Sequence, residues 1–252
     1  MKSGTVKVLA VVLMCCLAAC GHDKGFKKAP PAVAASTNVQ LAIEYLKLGK
    51  MSESRDAIER ALEQNPASAD VQMTAGLIYE RLDEMPKAER AYSAGYRLGK
   101  GDPNIQNNYA GYLCRTGKAI EGERLLLQVA SSPLYRTPEV ALVNAGVCAR
   151  GTGDVVDAER YFNKALTIRP NLPEALLQLG NIAFDRGDAE QAREIVQRYL
   201  AVNPPTAEVL WLGFRIERKL GDAVAAAAYA RRVQTEYPDS QQAQMMRSGV
   251  DR

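Results

Sequence analysis

Small and large apolar residues recur along most of this chain at the spacing of amphipathic helices, and the pattern itself repeats. The prolines that close successive units are 34 residues apart, and so are the glycines within those units. Signals for β-strands are nearly absent. A period of this length indicates a stacked array of helix pairs, because neighbouring units bury each other's apolar faces. The landmarks are Pro170, Pro204, Pro238, Gly153, Gly187 and Gly221.

The residues at the repeating positions resemble the tetratricopeptide pattern, with Leu-Gly-x-x-Tyr in the first helix and Ala-x-x-x-Phe in the second. The fourth unit matches well, with Gly146 in its first helix and Ala158 and Phe162 in its second. The third unit carries two extra residues near Pro133, which predict a longer exit loop. The resemblance implies an all-α tetratricopeptide superhelical solenoid of about six repeats over residues 36–240. A C-terminal capping helix is predicted over residues 241–252, since an end repeat would otherwise expose an apolar face.

The N-terminal segment has the features of a secretion signal. Lys2 and Lys7 precede an apolar run over residues 8–17, which is too short to span a bilayer comfortably. The run ends in Leu-Ala-Ala-Cys, which resembles the lipobox of bacterial lipoproteins. This resemblance implies a signal peptide over residues 1–19 and lipidation of Cys20. An ordinary signal peptide cut near Ala19 is the alternative.

The residue after Cys20 bears on the destination of such a lipoprotein. Asp at this place implies retention in the inner membrane, and here the residue is Gly21, which favours the outer membrane. The following residues contain glycine, lysine and two prolines without an apolar period. We therefore predict that residues 20–35 are a lipidated cysteine and a flexible tether.

Composition narrows the classes of function. Removal of the signal peptide takes two lysines and no acid from a chain of formal net charge +3, which leaves too little positive charge for a nucleic-acid partner. The single histidine, His22, lies in the predicted tether, so the repeats lack histidine acid–base chemistry. Acidic residues such as Asp154 and Asp188 are predicted to be solvated. The sequence predicts no enzyme, no metal, no cofactor and no small-molecule substrate.

Two cysteines remain in the predicted repeats. Cys114 and Cys148 are 34 residues apart, on the first helices of the third and fourth units. The insertion between these units shifts Cys148 by about half a turn relative to its counterpart, which brings both residues toward one contact. A disulfide is expected in an oxidising compartment, and two buried reduced cysteines are the alternative.

First helices of such arrays line a concave groove. The side chains that lie between the packing positions of the first two units are predicted to face the groove. Those packing positions are filled by Leu41, Ala42, Tyr45, Ala75, Gly76 and Tyr79. An apolar groove of this kind accepts an amphipathic helix or an extended peptide, whereas the alternative places these side chains in the core. The predicted partner-binding residues are Val39, Ile43, Leu46, Met73, Leu77 and Asn107.

The far end of the groove is predicted to be basic. Arg215, Arg218 and Lys219 could receive acidic residues of a partner, although such charges are usually only solvated. Trp211, the only tryptophan, could anchor a partner or pack against the final helix.

The whole chain is similar to the type IV pilus biogenesis lipoproteins of the PilF/PilW type. Residues 107–114 read Asn-Asn-Tyr-Ala-Gly-Tyr-Leu-Cys, close to the family's Asn-Asn-Tyr-Gly-x-Phe-Leu-Cys, with conservative departures at Ala110 and Tyr112. The resemblance implies a lipid-anchored protein on the periplasmic face of the outer membrane. It would bind the pilus secretin and promote its localisation and multimerisation. The alternative is an outer-membrane adaptor that recruits peptidoglycan hydrolases or synthases.

Overall fold

A computed structural model describes residues 30–249 of the chain. Within this range the structure is all-helical, with thirteen α-helices joined by turns and loops. The helices are α1 Pro31–Lys47, α2 Met51–Gln64, α3 Ala69–Arg81, α4 Met85–Leu98, α5 Pro103–Arg115, α6 Ala119–Ala130, α7 Pro138–Gly151, α8 Val155–Ile168, α9 Pro173–Asp185, α10 Ala189–Val202, α11 Ala207–Leu220, α12 Ala223–Glu236 and α13 Gln241–Ser248.

Helices α1 to α12 pack as six consecutive pairs, which confirms the predicted tetratricopeptide solenoid. The turn inside a pair needs a left-handed backbone, which Gly153 supplies in the fourth pair with φ of 85°. Asp83 takes this place in the second pair with φ of 59°. The acidic residues that follow the turns of the fourth and fifth pairs have a structural role. Asp154 and Asp188 accept hydrogen bonds from backbone amides and cap the second helices.

A missing side chain allows close contact within a pair. An added Cβ at Gly146 of α7 would lie only 2.6 Å from the ring of Phe162 in α8. The ring therefore fits against the α7 backbone, and both residues are buried. This contact explains why the sequence pattern combines a glycine in the first helix with an aromatic residue in the second.

The curvature of the array follows from which helices meet. Each first helix from α1 to α9 contacts the next first helix along the array. Within residues 30–249, the backbones of second helices in neighbouring repeats do not approach each other closely, and these helices meet only through long side chains such as Tyr161 of α8 and Glu123 of α6. The first helices are therefore closer together and line the concave side. No helix in this range is long and apolar enough to cross a membrane.

The N-terminal boundary differs from the prediction. Helix α1 begins at Pro31, so residues 31–35 are helical and the part of the predicted tether that they form is wrong. The reason is packing, because Ala35 is fully buried in the core of the first repeats. The predicted signal peptide, Cys20 and the rest of the tether lie outside the described residues.

The two irregular parts of the array are held by buried side chains. Tyr135 anchors the longer loop after the third repeat, where it packs with Val129 and Ala141. At the C-terminal end α13 contacts α11 and α12 and buries Ala243. Residues 250–252 lie beyond the described part of the chain.

Candidate functional site: a concave protein-binding groove

The groove contains a concavity of about 270 Å³ at the second, third and fourth repeats. Leu77 of α3 is 36% exposed on this surface, so an apolar side chain is available to a partner. The concavity is lined by Met73, Thr74, Leu77, Tyr92, Asn107, Asn108, Gly111, Arg115 and Asn144.

Met73 contributes to the core instead of standing free in the groove. Its side chain is only 5% exposed, so the prediction of an exposed Met73 is wrong. The cause is Gly95 of α4, where an added Cβ would lie 2.6 Å from the Met73 sulfur. The thioether occupies the space that a side chain at this position would fill. Met73 thus forms a buried floor, with Leu77 exposed beside it.

Asn107 is also largely buried, with 7% of its surface exposed. Its Oδ1 accepts a hydrogen bond of 3.0 Å from Nδ2 of Asn144, one repeat further along the groove. The pair places side-chain amides beside the exposed Leu77. Amides can donate to and accept from the main chain of a bound peptide. The sequence pattern singled out Asn107 but not Asn144, because the pairing depends on the register of α5 against α7.

An ion pair forms the charged edge of the concavity. Arg115 of α5 donates to both carboxylate oxygens of Glu80 in α3, at 2.6 and 2.9 Å. The Tyr92 hydroxyl donates to Glu80 as well, at 2.9 Å. Burial raises the pKa of Glu80, but the Arg115 hydrogen bonds and charge and the Tyr92 hydroxyl outweigh burial, so the pKa lies below its ordinary value. The sequence pattern does not indicate this network, since its members come from three helices.

The remaining predicted groove residues lie in the first repeat. Val39 and Leu46 are half-buried and pack against the core of the first repeats. Ile43 is half-buried as well. Leu41, which was expected to fill a packing position, is 40% exposed, so that expectation is wrong. The most exposed of the predicted apolar groove residues is therefore Leu77.

The third repeat is fixed to its neighbours on both sides. Tyr92 stacks on Tyr112 at 4.3 Å between ring centroids, which joins α4 to α5. On the other side Cys114 and Cys148 are bonded as a disulfide with a Cα–Cα distance of 5.3 Å. These contacts hold α5, which carries Asn107 and Arg115.

The arrangement has the features of a binding surface. The concavity is open and combines an apolar side chain, a pair of amides and an ion pair. Within residues 30–249 no cluster of histidine, cysteine and acidic side chains could hold a metal ion. The apolar side chain, the amides and the ion pair of the concavity fit recognition of a polypeptide.

Comparison with known proteins shows which repeat family the fold represents. Family models of the tetratricopeptide repeat match residues 39–103, 149–211 and 210–240. The chain belongs to the tetratricopeptide-repeat family.

Two pilus proteins are similar over nearly their whole length. The type IV pilus assembly protein PilF of Pseudomonas aeruginosa is 25% identical over 244 residues, which cover 95% of this chain and 95% of PilF. The crystal structure of PilW, a widely conserved type IV pilus biogenesis factor, is 28% identical with a TM-score of 0.68. This match covers 84% of this chain and 97% of the PilW chain. The resemblance to PilF and PilW that the sequence indicates is thereby confirmed.

The structure of P. aeruginosa PilF has the same fold. It matches with a TM-score of 0.63 at 23% identity, and the match covers 88% of this chain and 100% of that one. The superhelix is therefore shared along the full set of repeats.

Proposed function

We propose that this protein is an outer-membrane lipoprotein of type IV pilus biogenesis that binds the pilus secretin. Binding promotes localisation of the secretin in the outer membrane and its multimerisation. The observation that supports this most is the similarity to PilF over 95% of both chains and to PilW over 97% of that chain. The protein acts as a scaffold and not as an enzyme.

The groove suggests how the secretin is held. A segment of the secretin lies along the first helices, with an apolar side chain against Leu77 and its main chain near Asn107 and Asn144. Lipid on Cys20 keeps the complex at the membrane, because several acyl chains bind a bilayer almost irreversibly. Similarity to two pilus proteins favours the secretin over peptidoglycan hydrolases or synthases as the partner.

A deletion strain tests this proposal. Secretin multimers are measured by immunoblot in outer-membrane fractions of strains that carry no copy, the wild type or Cys20→Ser. We expect the full level of secretin multimers only in the strain that carries the wild type. The strain with Cys20→Ser should show a marked loss of multimers. Normal multimers without the protein would exclude the proposal. Changed peptidoglycan in that same strain would favour the adaptor function.

A further inference from the structure

The C-terminal end of the groove carries two cations on one aromatic ring. The guanidinium carbon of Arg215 in α11 lies 4.4 Å from the ring centroid of Phe184 in α9. The Lys219 ammonium lies 6.0 Å from the same centroid. We call these three residues the Phe184 patch. With Arg218 they line an open concavity of about 270 Å³.

The Phe184 patch departs from the charge pattern of the other first helices. Arg115 of α5 pairs with Glu80 of α3, and Arg150 of α7 pairs with Asp185 of α9 at 2.9 Å. In both cases the neighbouring first helix supplies the carboxylate. For Arg215 of α11, the neighbouring first helix α9 supplies the ring of Phe184 and not a carboxylate.

The described residues provide no counter-ion for the patch. Neither Arg215 nor Lys219 forms an ion pair with a carboxylate in residues 30–249. Asp185 follows Phe184 directly, but its carboxylate binds Arg150 on the other side of α9. Arg215 and Lys219 are one helical turn apart, so their like charges repel each other. The helix dipole of α11 favours cations near its C-terminal end in general. It does not account for two cations over one aromatic ring.

We propose that the Phe184 patch binds an acidic peptide segment of a partner protein. Carboxylates of the segment would pair with Arg215 and Lys219, and an apolar side chain would contact the ring of Phe184. A flat bilayer does not fit, because the patch lies on the concave side of the array. Nucleic acid is disfavoured, since the next cations along the groove are already paired with carboxylates.

This site is separate from the one proposed for the secretin. The concavity at Leu77 lies in the second to fourth repeats, whereas the Phe184 patch lies in the fifth and sixth. The protein would therefore hold two segments of different chemistry along one groove. Loss of either site leaves the other available for measurement.

Fluorescence anisotropy on the full chain in detergent micelles tests the proposal. The probe is a fluorescein-labelled peptide, Glu-Asp-Phe-Glu-Asp-Leu, and the control peptide is Gln-Asn-Phe-Gln-Asn-Leu. We expect at least about tenfold tighter binding of the acidic peptide, and the preference should fall with added salt. Equal binding of the two peptides would overturn the proposal.

Paired substitutions locate the binding. Arg215→Gln with Lys219→Gln should weaken binding about tenfold, whereas Arg215→Lys with Lys219→Arg should keep it within about threefold. The matched control is Arg81→Gln with Lys100→Gln, two exposed cations far from the patch, and it should change nothing. Unchanged binding by the neutralised variant, or an equal loss in the control, would contradict the assignment. Tight binding to phosphatidylglycerol vesicles without binding of the acidic peptide would also overturn it.

Discussion

Cys114 of α5 and Cys148 of α7 are bonded across two adjacent first helices, with their Cα atoms 5.3 Å apart. The bond joins two of the helices that line the concavity of the groove. Gly122 of α6 makes room for it, because an added Cβ there would lie 2.6 Å from the Cys114 sulfur. The disulfide thus restrains the third and fourth repeats, which carry Asn107 and Asn144.

We predict that protein purified from the periplasmic side without reductant contains this bond. Peptide mapping after alkylation should recover the Cys114 and Cys148 peptides linked to each other. Replacement of both cysteines by serine should lower the free energy of unfolding by about 3 to 4 kcal/mol, because the closed loop no longer restricts the unfolded chain. Alkylation of both thiols in the denatured wild type, without prior reduction, would show that the cysteines are reduced.

Two glycines of α7 give a matched test of the helix packing. Gly146→Ala places a methyl group against the Phe162 ring, and we expect a loss of about 2 kcal/mol in thermal or urea unfolding. Gly151 lies in the same helix, and an added Cβ there meets no atom within 4 Å. Gly151→Ala should be neutral or stabilise by about 0.5 kcal/mol. Equal effects of the two changes would contradict the close contact between α7 and α8.

The Glu80 network predicts a pH dependence. The pKa of Glu80 is lowered from 4.5 in the folded protein, so its stabilising effect is present above about pH 4.5 and is lost as the pH falls below that value. Glu80→Gln should lower the free energy of unfolding at neutral pH by about 1 kcal/mol and flatten its decline in acid. Glu63→Gln, at an exposed glutamate of α2, serves as control and should behave as the wild type. A Glu80→Gln curve parallel to that of the wild type from pH 6 to pH 3 would exclude this role.

The repeat architecture could be read from the sequence because its signals are local. Gly146 and Phe162 lie in one helix pair, and their spacing recurs in other units. The exposure of single groove residues could not be read in this way. Met73 is buried because Gly95 of the partner helix has no side chain and leaves room for it. Asn107 is covered because Asn144 of the next repeat forms a hydrogen bond with it. Such contacts depend on how the helices are stacked.

Leu77 and Met73 differ in exposure, and this separates binding from folding. Leu77→Asp should leave helix content and melting temperature nearly unchanged, because its side chain is already in contact with water. Met73→Asp should destabilise the first repeats by about 3 kcal/mol or more, since it buries a charge. Circular dichroism melting of both variants checks this pair. A large loss of stability in Leu77→Asp would move this residue to the core.

We propose that the groove at Leu77 binds the pilus secretin, and one binding experiment tests this. Purified secretin in detergent is bound to immobilised protein, with the wild type, Leu77→Asp and Val224→Asp, a matched change at an exposed residue of α12, compared at equal folded fraction. We expect saturable binding by the wild type and Val224→Asp, and at least about tenfold weaker binding by Leu77→Asp. Absence of binding by the wild type, or equal affinity of Leu77→Asp, would contradict it.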